Sequence, residues 1–214
     1  RHTTENITTL LGVNDRVHFF SSVEPTSFDR FIKKLNLDKT LFLVVSKSGT
    51  TLETTVGYNK TKEVVEKFLN SKDTSSNFVA MTDKNVQKSA LRRIVDSGEI
   101  KLSGFVHDDV GGRFSIFDDA TIFTLFFLGY SKDEVKGMLE ASLSAQKEFL
   151  NPDIEKNQAL QLAKFNVKAK NQGKNKHFVE YFSDVFSGTT LWEKQLKNES
   201  LKAAILTDTN VGPG

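Results

Sequence analysis

Short apolar runs alternate along this chain with longer amphipathic stretches, and this alternation restricts the folds that it can adopt. The run Leu41–Val45 contains no polar residue, as expected of a strand buried on both faces of a parallel sheet. A polar loop follows it, and the stretch 52–69 then carries apolar residues at helical spacing. Three further runs are predicted strands: 17–21, 78–81 and 104–107. We therefore predict an α/β fold built on a parallel sheet.

The second half of the chain carries several helix signals. The apolar stretch 121–128 predicts a buried helix that ends at Gly129. Ser131 and Glu134 form a capping box for the next helix. Asn151–Pro152 predicts the cap and first position of a third helix. Two more strands are predicted, with a helix between them: 177–182 and 203–206.

This change in character suggests two structural units. Residues 1–120 are predicted to form most of one αβ domain. Residues 121–214 are predicted to form a helical connection and the beginning of a second, similar domain, with the boundary within 119–130. Neither an internal repeat nor a low-complexity linker is present in the sequence.

The composition excludes several classes of function. The chain is 38% hydrophobic and 26% charged, which is typical of a globular protein. Its 29 basic and 27 acidic residues show no basic stripe, so no nucleic-acid partner is predicted. There is no cysteine, and the four histidines lack metal-binding spacing, so no metal site is predicted. The apolar runs are far shorter than the roughly 20 residues of a membrane span, and we expect a cytoplasmic protein without a membrane partner.

The loop 46–51, with the sequence SKSGTT, follows the first buried run and precedes a helix. Its hydroxyl-bearing residues are Ser46, Ser48, Thr50 and Thr51. Gly49 permits a tight turn, Lys47 adds a cation, and the helix directs its unpaired N–H groups to the same place. We interpret the loop as a phosphate site at the carboxyl edge of the sheet. The alternative is a hydroxyl-rich turn that only caps the helix; the absence of Walker spacing argues against a nucleoside triphosphate.

Two glycines precede an arginine in the segment GGRFS. Gly111 and Gly112 leave room for a ligand beside the backbone, so Gly112 is a candidate substrate-binding position. Arg113 stays charged at any accessible pH and can stabilise a developing oxyanion. The alternative is a surface arginine paired with Asp108 or Asp109.

The segment WEKQLKNESL offers a candidate base. On a helix, Gln195 and Glu199 lie four residues apart and share a face. Trp192 lies beside that face, so partial desolvation of Glu199 would raise its pKa towards the range of a general base. The alternative is a solvated carboxylate on a charged helix.

In this order along the chain, SKSGTT, GGRFS and KQLKNES resemble the phosphoglucose isomerase family, particularly its shorter bacterial type. The resemblance extends from His18 to Asn210. It implies two sugar-isomerase (SIS) domains, each a flavodoxin-like αβα sandwich with a parallel sheet, of which both are incomplete here. It also implies interconversion of glucose 6-phosphate and fructose 6-phosphate, in glycolysis and gluconeogenesis, by a homodimeric enzyme without a cofactor or metal.

The resemblance assigns roles to individual residues. Four match the family's phosphate loop: Ser46, Lys47, Ser48 and Thr51. Arg113 matches the arginine that stabilises the enediolate intermediate, and Glu199 matches the base that moves a proton between C1 and C2. Gln195 matches a glutamine that contacts the substrate. Abstraction of a proton beside a carbonyl requires such a base together with a fixed positive charge.

Some family features are absent from the sequence. No G-x-G-G-S segment precedes Ser46, and neither the ring-opening histidine nor a lysine near the C-terminus is found. We therefore expect a central fragment of a longer enzyme, inactive on its own. Two alternatives stay open: a regulatory SIS module that binds a sugar phosphate, and an isomerase of another sugar phosphate such as mannose 6-phosphate. A regulator has no use for Arg113, Gln195 and Glu199.

Overall fold

The computed structural model describes residues 2–107, 109–202 and 206–212. They form two compact units, one of which comprises His18–Gly111 and Asp118–Thr121. The described residues of the other fall within 1–17, 112–117 and 122–214. Each unit contains a parallel β-sheet and α-helices, which confirms the predicted α/β class.

The elements alternate as the apolar pattern predicts over much of the chain. The helices are α1 (His2–Leu10), α2 (Pro25–Ile32), α3 (Leu52–Leu69), α4 (Ala90–Asp96), α5 (Asp119–Phe127), α6 (Lys132–Phe149), α7 (Gln158–Asn171) and α8 (Ser187–Leu201). The strands are β1 (Phe42–Val45), β2 (Phe78–Thr82), β3 (Leu102–Phe105), β4 (Lys176–Tyr181) and β5 (Leu206–Val211). Among the described helices, none is long and apolar enough to cross a membrane.

The first unit is built on a three-stranded sheet in the order β1-β2-β3. Its strands are parallel, with Phe42 opposite Phe78 and Met81 opposite Gly104. Strand β2 is buried along its whole length because it has a neighbour on each side. The core around it consists of Val44, Tyr58, Val65, Phe78, Ala80, Leu91 and Ile100. Since parallel strands end at one edge, the loops after β1 and β2 meet there.

The predicted burial of Leu41–Val45 on both faces is wrong. Strand β1 is an edge strand in the described sheet, and Val45 is 40% exposed. The predicted strand at 17–21 is also wrong, since these described residues pair with no strand. Phe20 instead stacks on Phe31, with ring centroids 4.8 Å apart. The apolar content of this segment predicted a strand, but Phe20 packs against α2 without forming one.

The second unit is built on the parallel pair β4 and β5, in which Lys176 lies opposite Leu206 and Tyr181 opposite Val211. Helix α8 packs against both β5 and α1. Gly188 makes the α1 approach possible, because a Cβ there would lie 2.7 Å from the Cα atom of Asn6. The hydroxyl of Thr189 also donates to Asn6 Oδ1 at 2.6 Å.

Several predicted helix boundaries in this unit need correction. The capping box of Ser131 and Glu134 is confirmed at the start of α6. The cap predicted at Asn151 is wrong, because Asn157 caps α7 by accepting the Leu160 N–H at 3.0 Å. Asn157 is 1% exposed and its amide also donates to the Phe149 carbonyl at 2.8 Å, so tertiary contacts select it.

Two further sequence predictions differ from the structure. The predicted buried helix near 121–128 forms as α5, but Phe126 and Phe127 are about half exposed. Of the strand predicted at 203–206, residues 203–205 lie outside the described residues, and β5 begins at Leu206.

Candidate functional site

The loop 46–51 leaves β1 at the carboxyl edge of the first sheet and leads into α3. Ser46 is buried, and its hydroxyl accepts the Gly49 N–H at 3.0 Å. The same oxygen lies 3.2 Å from Thr51 Oγ1. Ser48 Oγ accepts the Thr50 N–H at 3.2 Å and lies 2.8 Å from the Thr50 hydroxyl. These bonds fold the loop into a compact turn that brings its hydroxyl groups together.

Gly49 is required by the geometry of this turn. Its φ is +66°, in the left-handed region that favours glycine. A Cβ at this position would lie only 2.1 Å from the backbone nitrogen of Leu91 in α4. The neighbouring carbonyl of Ser48 accepts the Ala90 N–H at 2.8 Å. The loop therefore rests directly on the backbone at the start of α4.

A shallow depression of about 590 Å³ opens beside the loop. Its lining residues are Lys47, Ser48, Thr51, Asp83, Lys88 and Asp109. Two lysines favour an anion, whereas the two aspartates oppose one, so the lining charges nearly cancel. Recognition of an anion at this surface therefore depends on hydroxyl and backbone N–H donors and on the amino end of α3. Thr51 is the N-cap of α3, is exposed, and makes no capping side-chain bond.

In the other unit, α8 and the segment Gly112–Phe114 bring Arg113 and Glu199 together. Nη1 of Arg113 lies 3.3 Å from Glu199 Oε2, and Nε donates to Ser200 Oγ at 2.9 Å. The guanidinium also lies 4.6 Å from the centre of the Phe114 ring. The indole N–H of Trp192 donates to the Arg113 carbonyl at 2.8 Å. One helix therefore holds both the backbone and the charged group of this arginine.

Gln195 completes this group, because its Nε2 donates to Glu199 Oε1 at 3.0 Å. The predicted sharing of a helix face by these two residues is confirmed. The side chain of Glu199 is 49% exposed, so it keeps about half of its contact with solvent. It lies in the last turn of α8, where it forms an ion pair with Arg113. The alternative of a purely solvated carboxylate does not describe this arrangement.

Gly112 is exposed, and a Cβ there would meet no atom within 4 Å. Packing in the described structure therefore does not explain this glycine, and its use by a ligand stays a prediction. Of the residues proposed as salt-bridge partners of Arg113, Asp108 lies outside the described residues.

Helix α8 is held against β4 by a polar network on another part of its surface. Tyr181 donates its hydroxyl to Glu193 Oε2 at 2.5 Å. Lys197 pairs with Glu193 and lies 3.2 Å from His177 Nδ1. Burial and the hydrogen bond to Glu193 raise the pKa of Tyr181, so it remains a proton donor. These contacts fix α8 and, with it, the carboxylate of Glu199.

Sequence reasoning missed a cluster of His107, Asp118 and Asp119, whose ligand atoms all lie within 4.8 Å of one another. Such a set has the chemistry to hold a cation. Both carboxylates already accept backbone N–H groups: Asp119 Oδ2 that of Phe105, at 2.8 Å, and Asp118 Oδ1 that of Asp119, at 2.9 Å. Burial raises the pKa of Asp118, which is 8% exposed. These hydrogen bonds give the two carboxylates a structural role, because they connect the end of β3 to the start of α5.

Comparison with known proteins identifies the class of fold first. The structure is similar to the crystal structure of a hypothetical protein from Thermus thermophilus, with a TM-score of 0.84, 24% identity, and coverage of 99% of this chain and 51% of that one. It is also similar to a glucose-6-phosphate isomerase from Chlamydia trachomatis, with a TM-score of 0.77, 23% identity, and coverage of 89% and 38%. At these identities the likeness shows a shared α/β fold alone.

The sequence then identifies the family. The model of the phosphoglucose isomerase family matches residues 3–211. A glucose-6-phosphate isomerase from Campylobacter jejuni is 34% identical over 176 residues, which are 82% of this chain and 40% of the relative. The chain belongs to the phosphoglucose isomerase family. It spans 40% of the length of this relative and 34% of the length of a glucose-6-phosphate isomerase from Clostridium novyi.

Proposed function

We propose that the full-length protein carrying this chain interconverts glucose 6-phosphate and fructose 6-phosphate through an enediolate, a step of glycolysis and gluconeogenesis. Membership of the phosphoglucose isomerase family supports this reaction. The observation that carries the proposal is the group that Arg113 forms with Gln195 and Glu199 at the end of α8. This group combines a carboxylate base with a fixed cation, the two requirements for moving a proton beside a carbonyl.

The base in this proposal is Glu199. Its carboxylate takes the proton from C2 of the open-chain aldose, and the electrons of that C–H bond form the C1–C2 double bond. The carbonyl oxygen on C1 then becomes the enediolate oxygen. Return of the proton to C1, with transfer of the hydroxyl proton from O2 to O1, yields the ketose. Gln195 holds one carboxylate oxygen, and the other becomes available to the substrate once Nη1 of Arg113 releases it.

Arg113 supplies the positive charge at the developing oxyanion. Its Nε bond to Ser200 and the Trp192 bond to its carbonyl hold it in place while Nη1 exchanges Glu199 for substrate. The ion pair with Glu199 is exposed, so its net free energy is about 0–1 kcal/mol and substrate can displace it.

The loop 46–51 is the proposed phosphate site. Ser46, Lys47, Ser48 and Thr51 provide hydroxyl groups and a cation beside the amino end of α3. Gly112, in the segment next to Arg113, is proposed to leave room for the sugar. Each charge-assisted hydrogen bond to a phosphate contributes about 1.5–3 kcal/mol, so a few such bonds suffice for sub-millimolar binding.

The same proposal includes the organisation of the whole enzyme. Residues 1–120 and 121–214 are proposed to belong to two SIS domains, in support of which each unit contains its own parallel sheet. We propose a cytoplasmic homodimer that acts on a small sugar phosphate without a cofactor.

The test is the variant Glu199→Gln in the full-length protein. We expect kcat to fall by about a hundredfold or more, because a positioned general base contributes about 10²–10⁴-fold. Sugar-phosphate binding, measured by calorimetry, should persist because the phosphate loop is unchanged. Exchange of the C2 proton with solvent should fall in parallel with kcat.

Two results would contradict this assignment. Near-normal C2 exchange in Glu199→Gln would place the base elsewhere. Binding of a sugar phosphate by the wild-type protein without isomerisation would favour a regulatory module. A matched control is Glu140→Gln, which changes an exposed carboxylate on α6 that pairs with Lys136 and should leave kcat unchanged.

A further inference from the structure

Two buried hydroxyl groups lie behind the loop 46–51. Thr82 ends β2 and Ser89 caps α4, and both are 0% exposed. The hydroxyl oxygen of Thr82 lies 2.7 Å from the Ser46 carbonyl oxygen, 3.1 Å from that of Lys47 and 2.6 Å from Ser89 Oγ. Ser89 Oγ in turn lies 3.1 Å from the backbone nitrogen of Arg92. The loop is therefore connected to α4 through two interior side chains.

The direction of each bond in this chain of contacts is fixed by chemistry. The Arg92 N–H can only donate, so Ser89 Oγ accepts from it. The carbonyl of Ser46 can only accept, so Thr82 donates its single hydrogen there. Thr82 must then accept the hydrogen of Ser89. The resulting one-way series has no unsatisfied member, and hydrogen bonds in series polarise and strengthen one another.

The segment after β2 binds three consecutive carbonyl groups of the loop. Besides the Thr82 bond to the Ser46 carbonyl, the Asp83 N–H donates to the Lys47 carbonyl at 3.2 Å, and the Ala90 N–H donates to the Ser48 carbonyl at 2.8 Å. All peptide bonds described are trans. In a trans peptide the C=O and N–H point in opposite directions. Anchoring the carbonyls of Ser46 and Lys47 therefore turns the N–H groups of Lys47 and Ser48 away from Thr82.

We propose that Thr82 and Ser89 are positioning residues for phosphate binding. They hold the main chain of the loop so that the N–H groups of Lys47 and Ser48 face the phosphate of the substrate. This inference rests on the proposed function, because it deepens the role of the phosphate loop. Neither residue contacts the ligand. Their effect is on the affinity for the phosphate group and not on proton transfer.

The experiment compares Thr82→Val and Ser89→Ala with the wild-type full-length protein. Valine keeps the shape of threonine and removes only the hydroxyl hydrogen bonds. We expect KM for the sugar phosphate and the inhibition constant of inorganic phosphate to rise together by about tenfold, with kcat unchanged within about twofold. Thr82→Ser keeps the hydroxyl and should restore both constants to within about twofold of the wild type.

The matched control is Ser75→Ala. Ser75 is 5% exposed and donates its hydroxyl to Asp73 Oδ1 at 2.6 Å, in the loop before β2 at the opposite edge of the same sheet. Its loss should lower the melting temperature without changing phosphate affinity. If Thr82→Val behaves in the same way, the role of Thr82 is structural and the inference is wrong. If Thr82→Val does not fold, Ser89→Ala decides, since it breaks the series one step further from the loop.

Failure of the proposed function gives a different result. A wild-type protein that binds inorganic phosphate but does not isomerise would refute the function, while the affinities of the variants would still support the positioning role. A wild-type protein that binds no phosphate would refute both. Unchanged phosphate affinity in both variants of an active enzyme would refute the positioning role alone.

Discussion

Replacement of Gly49 by alanine tests how closely the loop 46–51 rests on α4. A non-glycine residue at a φ of +66° costs about 1–2 kcal/mol. The new Cβ would lie 2.1 Å from the Leu91 nitrogen, so the loop must move. Overpacking of this kind costs about 1–3 kcal/mol, and loss of the bond between Ala90 and Ser48 costs about 0.5–1.5 kcal/mol. We expect a total of about 3–6 kcal/mol, a large part of the 5–15 kcal/mol that stabilises a typical domain.

Alanine substitutions at two other glycines of the same unit distinguish the cost of backbone strain from the cost of steric overlap. Gly98 has a φ of +83°, and a Cβ there meets no atom within 4 Å, so Gly98→Ala should cost only the backbone strain of about 1–2 kcal/mol. Gly57 lies inside α3, also with open space around its Cβ position and without a positive φ. Gly57→Ala should therefore stabilise the unit by about 0.5–1 kcal/mol.

Amide hydrogen exchange of β1 and β2 in the full-length protein measures the free energy of local opening for each variant. From the most to the least stable, the expected order is Gly57→Ala, wild type, Gly98→Ala and Gly49→Ala. Phosphate affinity should fall only in Gly49→Ala. If Gly49→Ala costs no more than Gly98→Ala, the close approach of the loop to Leu91 is wrong.

Two further predictions concern Asp118 and Ser200. Burial raises the pKa of Asp118, so the folded state holds its proton more tightly than the unfolded state, and stability falls as pH rises from the ordinary value through the raised one. Asp118→Asn should therefore raise the melting temperature at neutral pH and leave it nearly unchanged at about pH 3; a lower value at neutral pH would contradict this. Ser200→Ala removes the acceptor for Arg113 Nε and should lower kcat by about twofold to tenfold, with restoration in Ser200→Thr. Steady-state kinetics would measure kcat, and phosphate affinity should stay unchanged as a control. An unchanged kcat in Ser200→Ala would show that Ser200 does not hold Arg113 in its catalytic position.

The sequence predicted those elements whose signals are local. The run before Ser46, the loop and helix α3 form a unit in which apolar spacing, a glycine and a helix start all agree, and the structure confirms their order. The capping box at Ser131 is a similar case, because both of its bonds lie within four residues. The pairing of Gln195 and Glu199 follows from helical spacing alone.

Features that depend on distant contacts were not predicted. Helix α1 buries threonines such as Thr3 and Thr8, and its face carries too few apolar residues for a periodicity signal. Thr82 and Ser89 look like ordinary strand-end and cap residues until β1 and β2 are placed side by side. The exposure of Glu199 depends on which distant residues pack around the end of α8, and the local sequence does not indicate them.

The packing of α1 on α8 has a consequence for the order of folding. Asn6 meets Gly188 and Thr189, which are separated from it by most of the described chain. Contacts of such large sequence separation form late and slow the search for the native state. At a synthesis rate of about 5–20 residues per second, the ribosome needs roughly ten to forty seconds to deliver α8 after α1 has emerged. During that interval the threonine face of α1 has no docking partner on α8, and a face rich in hydroxyl groups is less prone to aggregation than a face of leucines would be.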